Sequence, residues 1–197
     1  MKTSIHIFLL WPIFILLLSA TSLSAQTDIN TLSAHVTRTT HNVLLAEDAI
    51  TTGSFHFRYP GQISMIFNEK NDRLLMDGKT YVIVNEGKKN IAKGKVQELF
   101  GVLQEVLQSV IRHMPLPAQT TPDIQVKKAG SIIEIVPLMD AKTKRRMPFT
   151  SFTLTLAPRS GELTALRMNE KGENYVQYDL SGQIPNNKID DTVFNLK

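Results

Sequence analysis

The chain has 197 residues, with 22 Lys+Arg against 18 Asp+Glu, 42% hydrophobic residues and no cysteine. A charged fraction of 20% beside that apolar content excludes a largely disordered chain. The lack of cysteine excludes a disulfide scaffold, a thiolate metal site, a Cys nucleophile and a lipid anchor on a leader cysteine.

Met1–Ala25 reads as a leader that is removed. Lys2 gives it a positive start, Ile5 to Leu18 is 14 residues of nearly unbroken apolar sequence, and Ser24-Ala25 places small residues before Gln26. This is the pattern of a secretory signal peptide. The apolar run is shorter than the ~18–20 residues of a membrane span, and Pro12 interrupts it. Cleavage after Ala25 leaves 172 residues, the span 26–197. That is one domain, able to bury about 70% of its unfolded surface. The mature chain is expected to be exported and soluble.

Without Lys2, 21 basic side chains face 18 acidic ones, a weak excess. Lys88, Lys89, Lys93 and Lys95 form one basic stretch and Lys142, Lys144, Arg145 and Arg146 another. Both read first as solvated loops, with attraction to an anionic membrane surface or an acidic partner as the sharper alternative. Neither carries the stacking aromatics that nucleic-acid binding asks for, so that class is set aside.

Asp28 reads as the N-cap of a short helix presenting Ile29, Leu32 and Val36. Strands follow. Thr51–Tyr59 alternates, with Phe55, Phe57 and Tyr59 on one face and His56 and Arg58 on the other. Pro60-Gly61 turns, and Gln62–Phe67 brings Ile63, Met65 and Phe67 together. Asn68–Asp72 turns, Arg73–Met76 continues, Asp77-Gly78 is a tight hairpin turn, and Thr80–Asn85 closes the meander. Over Lys95–Met114, apolar residues from Val96 to Met114 recur at three- and four-residue spacing, an amphipathic helix stopped by Pro115. Strands resume at Ile124–Lys128, Ser131–Val136, Phe149–Leu156, Glu162–Asn169 and Tyr175–Leu180. Turns are expected at Gly130, Pro158–Gly161, Lys171-Gly172 and Ser181-Gly182. About ten short antiparallel strands must curl to bury one face, and the apolar helix belongs in the concavity. The expected fold is α+β: a half-open antiparallel β-barrel, one curved sheet, with helix capping its concave hydrophobic face.

Catalytic motifs are missing. His35, His41, His56 and His113 form no close ligand pair, there is no GxSxG elbow, and the Lys93–Lys95 segment lacks the spacing of a phosphate loop. Asp190-Asp191 reads as a turn before a strand-like Thr192–Leu196. No enzyme, metal or cofactor is expected. Whether the helix packs solid on the sheet or leaves a greasy cavity is open at this level.

Several residues nevertheless form a pattern: Ala46–Asp48, then Gly53-Ser54-Phe55, Tyr59-Pro60, the Ile63–Phe67 run, Asp77-Gly78-Lys79 and the strand Tyr81–Val84. In this order they resemble the LolA-like outer-membrane lipoprotein carrier family across 26–197. The resemblance implies a monomeric periplasmic carrier. It would take acylated lipoproteins from an inner-membrane ABC-type lipoprotein-releasing transporter, shield their acyl chains, and pass them to an outer-membrane acceptor. Ile63 and Met65 match the family's two bulky inward positions, Ile63 nearest the lipid. Two departures stand out: Tyr59 occupies the place of an Arg that latches the lid in many members, and Met65 that of a common Trp. The candidate lipid-binding residues are Phe55, Phe57, Tyr59, Ile63, Met65 and Phe67 from the strands and Phe100, Leu103, Leu107 and Val110 from the helix, with Met65 and Met114 as adaptable lining. A charge placed at Ile63 is expected to disturb cargo while leaving the fold largely intact. The alternatives are a binder of other lipids or glycolipids with the same fold, and a non-catalytic structural domain.

Overall fold

The computed structural model describes residues 28–67, 72–118, 121–138 and 140–195. The expected leader lies outside the described residues. Among those described, eleven strands build one antiparallel sheet. They are β1 (Thr31–His41), β2 (Ala49–Arg58), β3 (Gln62–Phe67), β4 (Arg73–Asp77), β5 (Thr80–Asn85), β6 (Lys88–Ile91), β7 (Ile124–Ala129), β8 (Ile132–Pro137), β9 (Phe149–Leu156), β10 (Leu163–Glu170) and β11 (Tyr175–Pro185). Helix α1 (Lys95–Ile111) joins β6 to β7, and the short helix α2 (Ala141–Arg146) joins β8 to β9.

The spatial order is β6-β5-β4-β3-β2-β1-β11-β10-β9-β8-β7. Two meanders therefore meet at a central β1–β11 seam, one wing running out to β6 and the other returning from β7. Among the described residues, the two outer edges are linked through α1 with its flanking loops. Seventeen helical residues reach about 25 Å, so α1 crosses the inner face. A sheet this wide accumulates right-handed twist and curls, and here it forms the half-open barrel with helices. Phe100 of α1 shows the curl directly. Its ring lies 5.9 Å from Tyr81 of β5 and 5.6 and 5.3 Å from Phe149 and Phe152 of β9, residues from opposite wings.

Alternation explains which face is buried. Phe55 and Phe57, Ile63, Met65 and Phe67, Leu74 and Met76, and Leu154 and Leu156 all point inward into one core with α1. Gly53 is needed for close packing of β2 on β3: a Cβ there would sit 2.1 Å from the Ile66 carbonyl oxygen. A second, smaller cluster of Leu75, Val82 and Phe194 lies on the convex side. There the C-terminal segment straps the sheet, with Ser64 Oγ donating to the Val193 carbonyl (2.7 Å) and Arg58 to Asp191 (2.7 Å).

Five local expectations are corrected. The helix expected after Asp28 is the central strand β1, because Leu32, Ala34 and Val36 are buried alternately and threonines at 31, 37, 39 and 40 favour extended backbone. The first basic stretch includes the edge strand β6, and the second forms α2, capped by the Asp140 carboxylate accepting from Lys142 N and Thr143 N. Ser181-Gly182 is not a turn but a bulge inside β11. Ser33 pairs with Ile184 and His35 with Ser181, and Gly182 takes φ 61°. Helix α1 stops at Ile111, ahead of Pro115, because His113 adopts the left-handed φ of 52°. The strand-like Thr192–Leu196 is instead a 3₁₀ turn over Asp191–Phe194, with Asp190 accepting from Thr192 N (2.8 Å).

Candidate functional site

Nine of the ten candidate lipid-facing residues come together. Phe55, Phe57, Ile63, Met65, Phe67, Phe100, Leu103, Leu107 and Val110 all belong to the one core between sheet and helix. They are packed against each other: α1 fills the concavity. Tyr59 does not join them. Strand β2 ends at Arg58, the chain turns, and Tyr59 stands 43% exposed at the rim. Arg58 points to the convex face, where its guanidinium sits 4.6 Å from the Phe194 ring. Met65 is fully buried, whereas Met114 lies beyond the helix and is half exposed.

Polar contacts hold α1 to the rim. The Arg112 guanidinium lies 4.0 Å above the Tyr59 ring. The buried Gln104 amide donates to the Gly61 carbonyl, and Gln97 donates to the Lys79 carbonyl (2.9 Å). Sequence periodicity counts Gln104 on the polar side; its burial follows from the carbonyl it satisfies. Thus an aromatic on the barrel and an arginine on the helix meet where the family resemblance leads one to look for an arginine on the barrel.

Open clefts flank the helix at both ends. One, of about 360 Å³, lies between the wings against Tyr81, Ile83, Ile91, Val96, Phe100 and Phe149. The other, of about 430 Å³, lies against Val110, Met114, Leu116, Ile133 and Leu156. Beside the first is a recess of about 440 Å³ lined by Lys93, Lys95, Val96, Lys142, Thr143 and Arg146. The two basic stretches of the sequence thus face one another across the mouth. Lys95 is spoken for: hydrogen bonds to Asp123 and then Glu98, both 2.8 Å, hold its pKa above the ordinary lysine value.

At the far end of the concavity Arg38 donates to the buried Asp72 (2.8 Å) and stacks on Phe67 (4.4 Å). Burial pushes the neighbouring Tyr178 phenol up to about 12, with Arg38 opposing the shift. Among the described residues the histidines converge on no common site. His41 lies 2.7 Å from Asp48 and stacks on Tyr175, while His56 sits between Ser33 (3.3 Å) and Ser54 (3.1 Å), its pKa lowered by burial. Among the described residues no three His, Asp or Glu side chains are grouped to hold a metal ion, and no helix is long and apolar enough to cross a membrane. Sequence reasoning also passed over Val43, Leu44 and Leu45, exposed at the tip between β1 and β2.

No protein-family model matches the sequence, and no curated protein does. Solved structures are similar to it. A DUF1329 family protein from Desulfovibrio piger is 8% identical with a TM-score of 0.44, over 86% of this chain and 91% of that one. A LolA superfamily protein from Nitrosomonas europaea is 10% identical with a TM-score of 0.39, over 85% and 91%. The lipoprotein LppX of Mycobacterium tuberculosis is 16% identical with a TM-score of 0.34, over 82% and 89%. What the site does rests on its own residues.

Proposed function

We propose that this chain is a non-catalytic periplasmic carrier that shields acyl chains in the space α1 occupies when empty of cargo. Acylated lipoproteins are the first cargo class, taken from an inner-membrane ABC-type transporter and passed to an outer-membrane acceptor. The observation that supports this is the placement of α1. An amphipathic helix bridges two sheet edges, it fills a concavity of Phe, Ile, Met and Leu side chains, and apolar clefts lie at both its ends. Moving the helix outward would join the clefts into a trough. Each CH₂ buried there is worth about 0.8 kcal/mol, and the helix side chains displaced into water take back part of that gain. Cargo then binds without being trapped, as transfer requires.

The absence of cysteine makes the test direct. Spin labels on Glu105→Cys of α1 and Lys89→Cys of β6 report the helix-to-sheet distance with and without a triacylated peptide. A distance that lengthens with peptide supports the carrier. An unchanged distance, with no acyl species retained on native mass spectrometry of the purified protein, leaves a solid structural domain. Retention of phospholipid or glycolipid without lipoprotein moves the cargo to free lipids, a reading that the cationic mouth favours.

A further inference from the structure

We propose that the mouth between the two wings binds an anionic lipid. The cleft against Phe100 takes part of an acyl chain, and Lys93, Lys142 and Arg146 hold the headgroup. This deepens the carrier reading and rests on it.

Three observations converge. First, the apolar cleft and the cationic recess adjoin, because Lys93 and Val96 line both. An apolar slot opening into a ring of cations is complementary to an amphiphile with a negative head, and both volumes fall within the roughly 300–1,000 Å³ range of ligand pockets.

Second, the cations come from opposite wings. Lys93 follows the edge strand β6, whereas Lys142 and Arg146 lie four residues apart on α2, on one face of the helix. Curling of the sheet, not sequence proximity, brings them together.

Third, the placement of Lys93 and Lys142 gains nothing from a helix end or an ion pair, although Arg146 stands in the last turn of α2, where the dipole favours a cation. Like charges at this spacing repel, and Lys142 stands in the first turn of α2, the end where the helix dipole disfavours a cation. Among the described residues, no carboxylate forms an ion pair with Lys93, Lys142 or Arg146, whereas their neighbour Lys95 has two. A solvated basic loop needs no such convergence. A phosphate or carboxylate head would relieve it, and would be held at the lip of the space from which α1 must move.

The experiment is calorimetric titration of the mature chain with two lysolipids of the same palmitoyl chain, below their micelle concentrations. One is lysophosphatidylglycerol and the other lysophosphatidylcholine, with glycerol 3-phosphate as the chain-free head. A basic residue near an anionic head contributes roughly fivefold in affinity. The anionic lysolipid should therefore bind at least about tenfold more tightly than the zwitterionic one at low salt, and the gap should narrow as salt rises. The triple substitution Lys93→Gln, Lys142→Gln, Arg146→Gln should erase the preference and leave the lysophosphatidylcholine affinity unchanged. Ile91→Asp, at the half-exposed edge of the cleft, should weaken both lysolipids. Equal affinity for the two lysolipids, or a preference that survives the triple substitution, overturns the headgroup site while leaving the carrier standing. Glycerol 3-phosphate binding as tightly as lysophosphatidylglycerol makes this a simple anion site and overturns the lipid assignment. If neither lysolipid binds, this inference falls, and the carrier reading is decided separately by the spin-label distance with triacylated peptide.

Discussion

The guanidinium of Arg112, at the C-terminal end of α1, lies over the exposed ring of Tyr59 with 4.0 Å between its carbon and the ring centroid. Arg112 is only about a tenth exposed, so the contact is partly desolvated. Such a cation–π pair contributes on the order of 1 kcal/mol. It joins the moving element of the proposed carrier to its rim. Arg112→Ala should therefore lower hydrogen-exchange protection of the Val110 and Ile111 amides by roughly fivefold, leaving β1 and β11 amides as they were. Arg112→Lys should recover only part, since an ammonium lacks the stacking plane. Equal loss of protection across the sheet would show that the pair supports the whole fold and is not a local latch.

Much of the architecture was legible because it rests on period and turn chemistry. Phe55/Phe57, Ile63/Met65/Phe67 and Phe152/Leu154/Leu156 alternate without ambiguity, and each set faces the core. The α1 stripe was equally clear. Short spacings misled where two periods coincide. Ile29, Leu32 and Val36 fit a helix, yet Leu32, Ala34 and Val36 fit a strand, and pairing with both β2 and β11 decided for the strand. In the site, the apolar residues could be read by face, but the Arg112–Tyr59 contact and the meeting of Lys93 with Lys142 and Arg146 could not. Each joins residues about fifty apart that only the curl of the sheet and the path of α1 bring near. Tyr59 stands outside the core for a local reason, since the strand ends one residue earlier.

Gly53 lies where β2 runs so close to β3 that any side chain meets the Ile66 carbonyl at 2.1 Å. The three nearest atoms, from Ile66 and Phe67, are all backbone, so none can swing aside. Gly53→Ala should destabilise by about 2 kcal/mol or more, read as a lowered urea midpoint with an unchanged slope. A midpoint within error of the parent would mean that β2 and β3 separate without cost.

Tyr178 sets an alkaline limit on stability. Its burial raises the phenol from the ordinary 10.0 to about 12. The folded state thus holds the proton more tightly than the unfolded chain does. The contribution is fully present below pH about 10, and is lost between about 10 and 12 at up to 1.4 kcal/mol per pH unit. The near-ultraviolet phenolate signal of the folded protein should show a tyrosine that ionises only as the protein unfolds. Tyr178→Phe should flatten the decline of stability across that window. A decline of the same steepness in the variant would assign the alkaline limit to other groups.

Ile63 is the residue at which the closed structure changes the expectation most. Read from the sequence, a charge here leaves the fold largely intact; in the structure Ile63 has 0% exposure beneath α1. A carboxylate at that position would be buried with no partner, a cost of several kcal/mol, or roughly 10 °C in melting temperature for a chain of this size. Burial raises the pKa of such a carboxyl above its unfolded value. The stability of Ile63→Glu is therefore highest below that unfolded value, near pH 4, and is lost as pH rises through the raised one. Melting curves of Ile63→Glu and the parent at pH 5 and pH 7 should differ less at the lower pH. A deficit that is the same at both would mean that the carboxylate already reaches water. In that case α1 has left β3, and the variant is held in the helix-out form that the carrier reading requires. Such a variant should then take up lysolipid faster than the parent, because the step that opens the trough has been completed in advance.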